Sequence, residues 1–168
     1  MIKIVEEANN RAKLSIKNLN DATSKSIRRA FYDLGKDLTK EAKNLIDSKP
    51  KSGRTYIKRI GTKGQRLKKG ISYIASAAGE APAVVSGTLK RSLNFNVVGD
   101  KKLQVGIDLH YGAATYAKYL EYKNIISMTG RGSQKIAPRP FLSAAYNNKK
   151  AIFKDYFIKN LKYSVGNL

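Results

Sequence analysis

Between Asp21 and Asp47 the apolar residues recur at three- and four-residue steps: Ile27, Ala30, Phe31, Leu34, Leu38, Ala42, Leu45 and Ile46. That spacing gathers them on one face of an α-helix. Asn20 or Asp21 can cap its start. Ser48-Lys49-Pro50 ends it, because the residue before a proline resists the helical region. A helix over about 21–47 would extend roughly 40 Å at about 1.5 Å per residue. For a small domain that is long, so part of it is expected to pack on something outside its own core. Upstream, MIKIV gives way to polar residues with only weak alternation. Residues 1–18 read as a short edge strand or a loosely held arm.

The period then changes. Tyr56-Ile60 and Ile71-Ser76 have strand-like composition, and the GTKGQRLKKG between them, with three glycines and four bases, reads as the flexible tip of a hairpin. Farther on, Leu93, Phe95 and Val97 alternate with polar residues, as do Leu103, Val105, Ile107 and Leu109. Gly99-Asp100 turns the chain between them, so a second hairpin with one buried face is predicted. A short helix is expected at 115–122, with Tyr116, Tyr119 and Leu120 on one side. A Gly- and Ser-rich loop, SMTGRGSQKIA, follows. The last predicted helix has Pro140 as its first residue and Leu142, Ala145, Tyr146, Phe153, Tyr156 and Phe157 along one face. The fold class is therefore α+β: long N-terminal and C-terminal helices on a small antiparallel sheet, with a protruding basic hairpin at 49–79. At 168 residues a single domain is expected.

Charge sharpens this picture. The chain holds 33 Lys and Arg against 12 Asp and Glu, a formal net charge of +21. Such a field favours polyanions or acidic protein surfaces as partners. Residues 48–79 alone contain nine bases and no acid. Contact with duplex DNA or an acidic partner is expected there, at Lys58, Arg59, Lys63, Arg66, Lys68 and Lys69. Within 49–70, Tyr56 is the one aromatic, too few for a base-stacking platform. The absence of cysteine excludes disulfides and thiolate metal sites and fits assembly in a reducing cytoplasm. No segment approaches the roughly 20 apolar residues of a membrane span.

Candidate chemistry is sparse. His110 is the only histidine, and Asp108 is its one sequence-near acid. General-base work needs an orienting partner and a metal needs several ligands, so a turn histidine is the plainer reading. The carboxylates stand singly. Glu121, between Leu120 and Tyr122, suits an interface ion pair better than acid catalysis. Ser86-Gly87-Thr88 with Lys90 and Arg91 could set a helix N-terminus against an anion, but lacks the lysine that follows the second glycine of a P-loop. No enzyme, cofactor or metal is expected. A nuclease or phosphotransferase would have to rest on Asp108 or Glu121.

One stretch is distinctive without being reactive: GEAPAVVSGTLKRSL, residues 79–93. Pro82 forces Ala81 to be extended, the small Ala81 and Ala83 permit close approach, and Ser86 can cap a short helix whose Leu89 and Leu93 point inward. It reads as an ordered strap. With its flanks, ASAAGEAPAVVSGTLKRSL (75–93), YAKYLEY (116–122) and APRPFLSAAY (137–146), the chain resembles the neck or tail-completion proteins of tailed bacteriophages, minor virion proteins at the head-to-tail junction. The likeness covers about 25–160, with Val85-Ser86 standing where that family usually has Asp-Thr. It implies a homo-oligomeric ring, six-fold, between connector and tail, enclosing a DNA channel, in the virion and, during assembly, in the host cytoplasm. Subunit contacts would fall on Pro82, Val84, Leu89, Tyr116, Tyr119, Glu121, Arg139 and Phe141. The alternative is a basic nucleic-acid-binding protein without catalytic activity.

Overall fold

The computed structural model describes residues 2–48, 51–59, 70–108, 114–122, 126–129, 132–135 and 137–165. The fold is α+β. Helix α1 runs Ile2–Asp47, followed by strands β1 (Thr55–Arg59) and β2 (Gly70–Ile74) and the short helix α2 (Thr88–Ser92). Strands β3 (Leu93–Val98) and β4 (Lys102–Ile107) precede helix α3 (Ala114–Glu121). Strands β5 (Ile126–Thr129) and β6 (Gly132–Lys135) lead to α4 (Leu142–Lys149), a 3₁₀ turn at Lys150–Ile152 and α5 (Phe153–Val165). The strands pair consecutively into three two-stranded sheets, β1-β2, β3-β4 and β5-β6.

The chain divides into two compact units, one of residues 1–37, 95–104 and 149–168, the other of 38–94 and 105–148. In the first, Ala30 and Leu34 of α1 are buried, Phe31 meets Phe157 of α5 edge-on at 5.3 Å, and Tyr32 meets Phe95 of β3 at the same distance. Gly35 explains how closely β3 and β4 approach. A Cβ there would lie 2.8 Å from Phe95 Cγ and 2.9 Å from Leu103 Cδ1, so only glycine lets both side chains rest on the helix backbone. A polar seam joins α1 to the C-terminal residues. The Tyr156 hydroxyl donates to Asp37 at 3.0 Å, Lys149 pairs with Asp37 at 3.2 Å, and Asn160 donates to Asp33 at 3.3 Å. Ser26, fully buried, bonds the Ala22 carbonyl and the Ser164 hydroxyl.

The second unit has its own core of Ala42, Ile46, Leu89, Leu93, Ala117, Phe141 and Ala145, with Leu45, Ala81, Ile107, Leu120 and Leu142 packed against it. Phe141 is fully buried and, among the described residues, is the largest side chain to be so. The end of α1 is closed by Ser48, whose hydroxyl donates to Leu45 O at 2.6 Å, and by Lys51, whose ammonium reaches the same carbonyl at 3.2 Å. These bonds satisfy a carbonyl that the helix leaves without a partner.

Four expectations need correction. Helix α1 begins at Ile2, so residues 2–18 are helix and not strand, and Asn20 and Asp21 lie inside it and cap nothing. Residues 10–21 are exposed on every side. Their Ala, Lys, Leu and Arg continue a helix already nucleated by the packed stretch, and propagation costs far less than nucleation. The last helix is two helices: the chain tightens to 3₁₀ at Lys150–Ile152, just after the poor helix formers Asn147-Asn148. Pro140 stands outside α4, since Phe141 O already accepts the first helical bond, from Ala145 N at 3.1 Å. The 127–137 loop holds a hairpin, with Thr129 opposite Gly132 and Ile126 opposite Lys135. Gly-X between two β-capable tetrapeptides is a hairpin signal, and the Gly and Ser content hid it.

Candidate functional site

The strap is pinned where the three distinctive motifs meet, all within the second unit. Glu80 accepts from Ser52 Oγ at 2.5 Å, from Ser52 N at 3.1 Å and from Ala77 N at 2.9 Å. The Ser52 hydroxyl first, then the two amides, hold its carboxyl well below the ordinary 4.5, at about 2. Gly79 N donates to Pro138 O at 2.8 Å, and Arg139 Nε to Ser76 O at 3.1 Å. Arg139 N in turn donates to Leu120 O at 2.6 Å. Thus 75–93, 116–122 and 137–146 are stitched to one another by backbone and side-chain bonds.

Glu121 completes the junction. Its carboxylate accepts from Phe141 N at 3.0 Å, Leu142 N at 3.2 Å and Ser143 N at 2.6 Å. These are the free amides at the start of α4, so a residue of α3 caps another helix and favours its positive end. Expected as an interface ion pair, Glu121 instead has its charge engaged inside its own chain. Leu89 and Phe141 also sit in the chain's own core, at 7% and 0% exposure, which leaves them no surface for a neighbour. Pro82 is buried too, and Tyr119 and Arg139 are half-buried.

Val84 is different. It and Val85 are each 45% exposed on the strap between Pro82 and α2. A cleft of about 500 Å³ opens there, lined by Tyr56, Tyr73, Pro82, Val84, Tyr116 and Arg139 among others. A second of about 520 Å³, reaching Lys51 and Ile74, shares Ala83 and Val84 as lining. Tyr56 and Tyr73 face each other across β1 and β2 and stack at 5.8 Å. Tyr56, Ile57, Ile74 and Tyr116 are all at least 40% exposed. Burial pushes the Tyr116 phenol above its ordinary pKa, with a backbone hydrogen bond at Leu89 pulling the other way. The surface is aliphatic and aromatic around a strap that is held in place.

Gly87, not Ser86, occupies the capping position of α2, with φ of 73°. That left-handed backbone is where glycine has no penalty. The Ser86 hydroxyl, one residue before it, still accepts from the first amide of α2, Thr88 N at 3.4 Å, and bonds Thr88 Oγ1 at 2.9 Å. Beyond α2, Lys90 pairs with Asp47. The strands expected around the basic finger pair in register from Thr55 with Ile74 to Arg59 with Gly70. Lys58 and Arg59 fall in β1. Lys63, Arg66, Lys68 and Lys69, like His110, lie outside the described residues. Among the described residues no group of three His, Cys, Asp or Glu is placed to hold a metal, and no helix is long and apolar enough to cross a membrane.

The sequence reading missed Glu80 and Glu121 as anchors. Their signal was available: each is a lone acid in a stretch of turn-forming or apolar residues, where a carboxylate commonly accepts backbone amides.

No protein-family model, curated protein or solved structure matches this chain.

Proposed function

We propose that this chain is a non-enzymatic structural protein of a tailed-bacteriophage particle, forming a six-fold ring at the head-to-tail junction through which DNA passes. The observation that carries the reading is the strap. An extended segment anchored by Glu80 and by the Pro138 and Arg139 stitches presents Val84 and Val85 outward, beside Tyr56 and Tyr116. Apolar and aromatic side chains on a pre-ordered backbone suit a protein interface, because little order remains to be lost on binding. A ring needs two different patches meeting on successive subunits. The strap supplies one; its complement is left to a second surface of the same chain. The resemblance of the three motifs to neck and tail-completion proteins adds the location.

The test is mass and shape in solution. Native mass spectrometry and electron microscopy of the purified protein at micromolar concentration should find closed rings. Val84→Glu should give a monomer with an unchanged melting temperature, since the side chain is exposed and its charge would be desolvated only in the contact. A wild-type chain that stays monomeric at high concentration, and is missing from particles of the phage that encodes it, would sink the proposal. A monomer that binds DNA with steep salt dependence would instead favour the plain nucleic-acid-binding protein.

A further inference from the structure

In the first unit, Lys25, Arg28, Arg29 and Lys36 are all exposed on α1. With Tyr32 they fall within an arc of about 100° around the helix at 3.6 residues per turn. The buried Ser26, Ala30 and Leu34 lie outside that arc. The acids of this stretch lie off it and are engaged: Asp33 accepts from Asn160, and Asp37 from Tyr156 and Lys149. Asp21 marks the arc's N-terminal edge, one turn before Lys25. Asp100, from the β3-β4 turn, accepts from Ser24 Oγ at 2.9 Å. Among the described residues, neither ion pair within 4.0 Å uses any of the four bases. Opposite charges do stand at i,i+4 spacing, Asp21 before Lys25 and Asp33 after Arg29, and Asp100 faces Arg28, but bases outnumber acids along the arc and the acids at 33 and 100 are already hydrogen-bonded.

The arc also has relief. A cleft of about 350 Å³ is lined by Arg28, Arg29, Tyr32, Asp33, Val97 and Asn160. The Arg29 guanidinium lies 5.6 Å from the centre of the Tyr163 ring, which restrains it beside the opening. Tyr32 is 58% exposed, and its ring is set edge-on against Phe95. Lys25 to Lys36 spans about 16 Å of helix axis at about 1.5 Å per residue. One DNA strand presents a phosphate about every 3.4 Å of duplex axis, so that length faces several.

We infer that this face of α1 is a nucleic-acid contact, with Lys25, Arg28 and Lys36 on backbone phosphates and Arg29 and Tyr32 at the cleft against the next phosphate or sugar. It is sequence-independent, since phosphate contacts position a duplex without reading it. The site is distinct from the basic β1-β2 hairpin, and it does not depend on the assembly reading: a Val84→Glu monomer retains it.

Fluorescence anisotropy with a labelled duplex of about 30 base pairs, titrated at several salt concentrations in the Val84→Glu background, tests it. The triple variant Lys25→Gln, Arg28→Gln, Lys36→Gln should lose at least about ten-fold in affinity at low salt. Its slope of log K against log salt should flatten by roughly 2 to 3, at about 0.9 per phosphate contact. A control triple on exposed bases of the C-terminal segment, Lys150→Gln, Lys154→Gln, Lys159→Gln, removes the same charge and should lose less than about three-fold. Circular dichroism melts check that both triples fold, and single Arg28→Gln and Lys36→Gln variants replace a triple that does not. Equal losses in the two triples would overturn the inference in favour of diffuse charge. Binding of polyglutamate as tight as DNA, lost in the same α1 triple, would overturn it in favour of an acidic protein partner.

Discussion

Glu80 shows how one side chain can fix a long stretch of backbone. Its two oxygens take both the hydroxyl and the amide of Ser52 and the amide of Ala77, so the loop after α1 and the start of the strap share one anchor. The bonds are made to the ionised form, which is why the folded pKa falls from 4.5 to about 2. A depressed acid stabilises the fold above its unfolded pKa, and that contribution disappears as pH falls through the folded value. Wild type should therefore melt higher than Glu80→Gln at pH 7. The gap should narrow below about pH 4.5 and close near pH 2, a window that melts in a series of buffers would trace. A gap unchanged across that range would mean that the carboxylate's charge has no part in the anchor. The sequence marked this stretch as distinctive but gave the wrong reason for Glu121 and none for Glu80. A lone acid signals that amide partners exist, but apart from Ala77 those partners lie far along the chain, at 52 and 141–143, and local spacing cannot say which they are.

At the scale of elements, the sequence was informative wherever a period met a buried face. The Ala30-Leu34-Leu38-Ala42-Ile46 series and the Phe95-Val97 alternation appear in the structure as the inward sides of α1 and β3. Where no face is buried, as over residues 10–21, period says nothing and propensity decides; the helix there was illegible for that reason. Gly35 was overlooked in the opposite sense, because a glycine inside a clear helical period looks like a mere weakness. It is a packing position. Alanine has the better helix propensity by about 1 kcal/mol, yet its methyl group would press on Phe95 and Leu103. Overpacking of this kind costs typically about 1–3 kcal/mol. With the one set against the other, Gly35→Ala should lower stability in urea by up to about 2 kcal/mol, with an unchanged denaturant slope. A stabilised variant would show that β3 and β4 can withdraw from α1 freely.

For the whole molecule the governing quantity is a net charge of +21 on 168 residues. Repulsion at that density opposes compaction, opposes self-association and favours polyanions, and salt weakens all three, with a Debye length near 10 Å at about 0.1 M. The ion pairs found among the described residues, Lys90 with Asp47 and Lys149 with Asp37, are partly exposed and weak against such a field. The melting temperature should accordingly rise between about 0.05 and 0.5 M NaCl, whereas a fold held mainly by ion pairs would lose stability over the same range. Under the two proposals the same titration separates the partners by sign. Like-charged subunits approach more readily once screened, so the ring fraction of wild type should grow with salt. DNA binding to the Val84→Glu monomer should fall, because each phosphate contact depends on counterions released into solution. Sedimentation of the first and anisotropy of the second, across one salt series, would therefore give slopes of opposite sign. If both fell together, subunit association would itself depend on charge pairing, and the apolar strap would have no part in it.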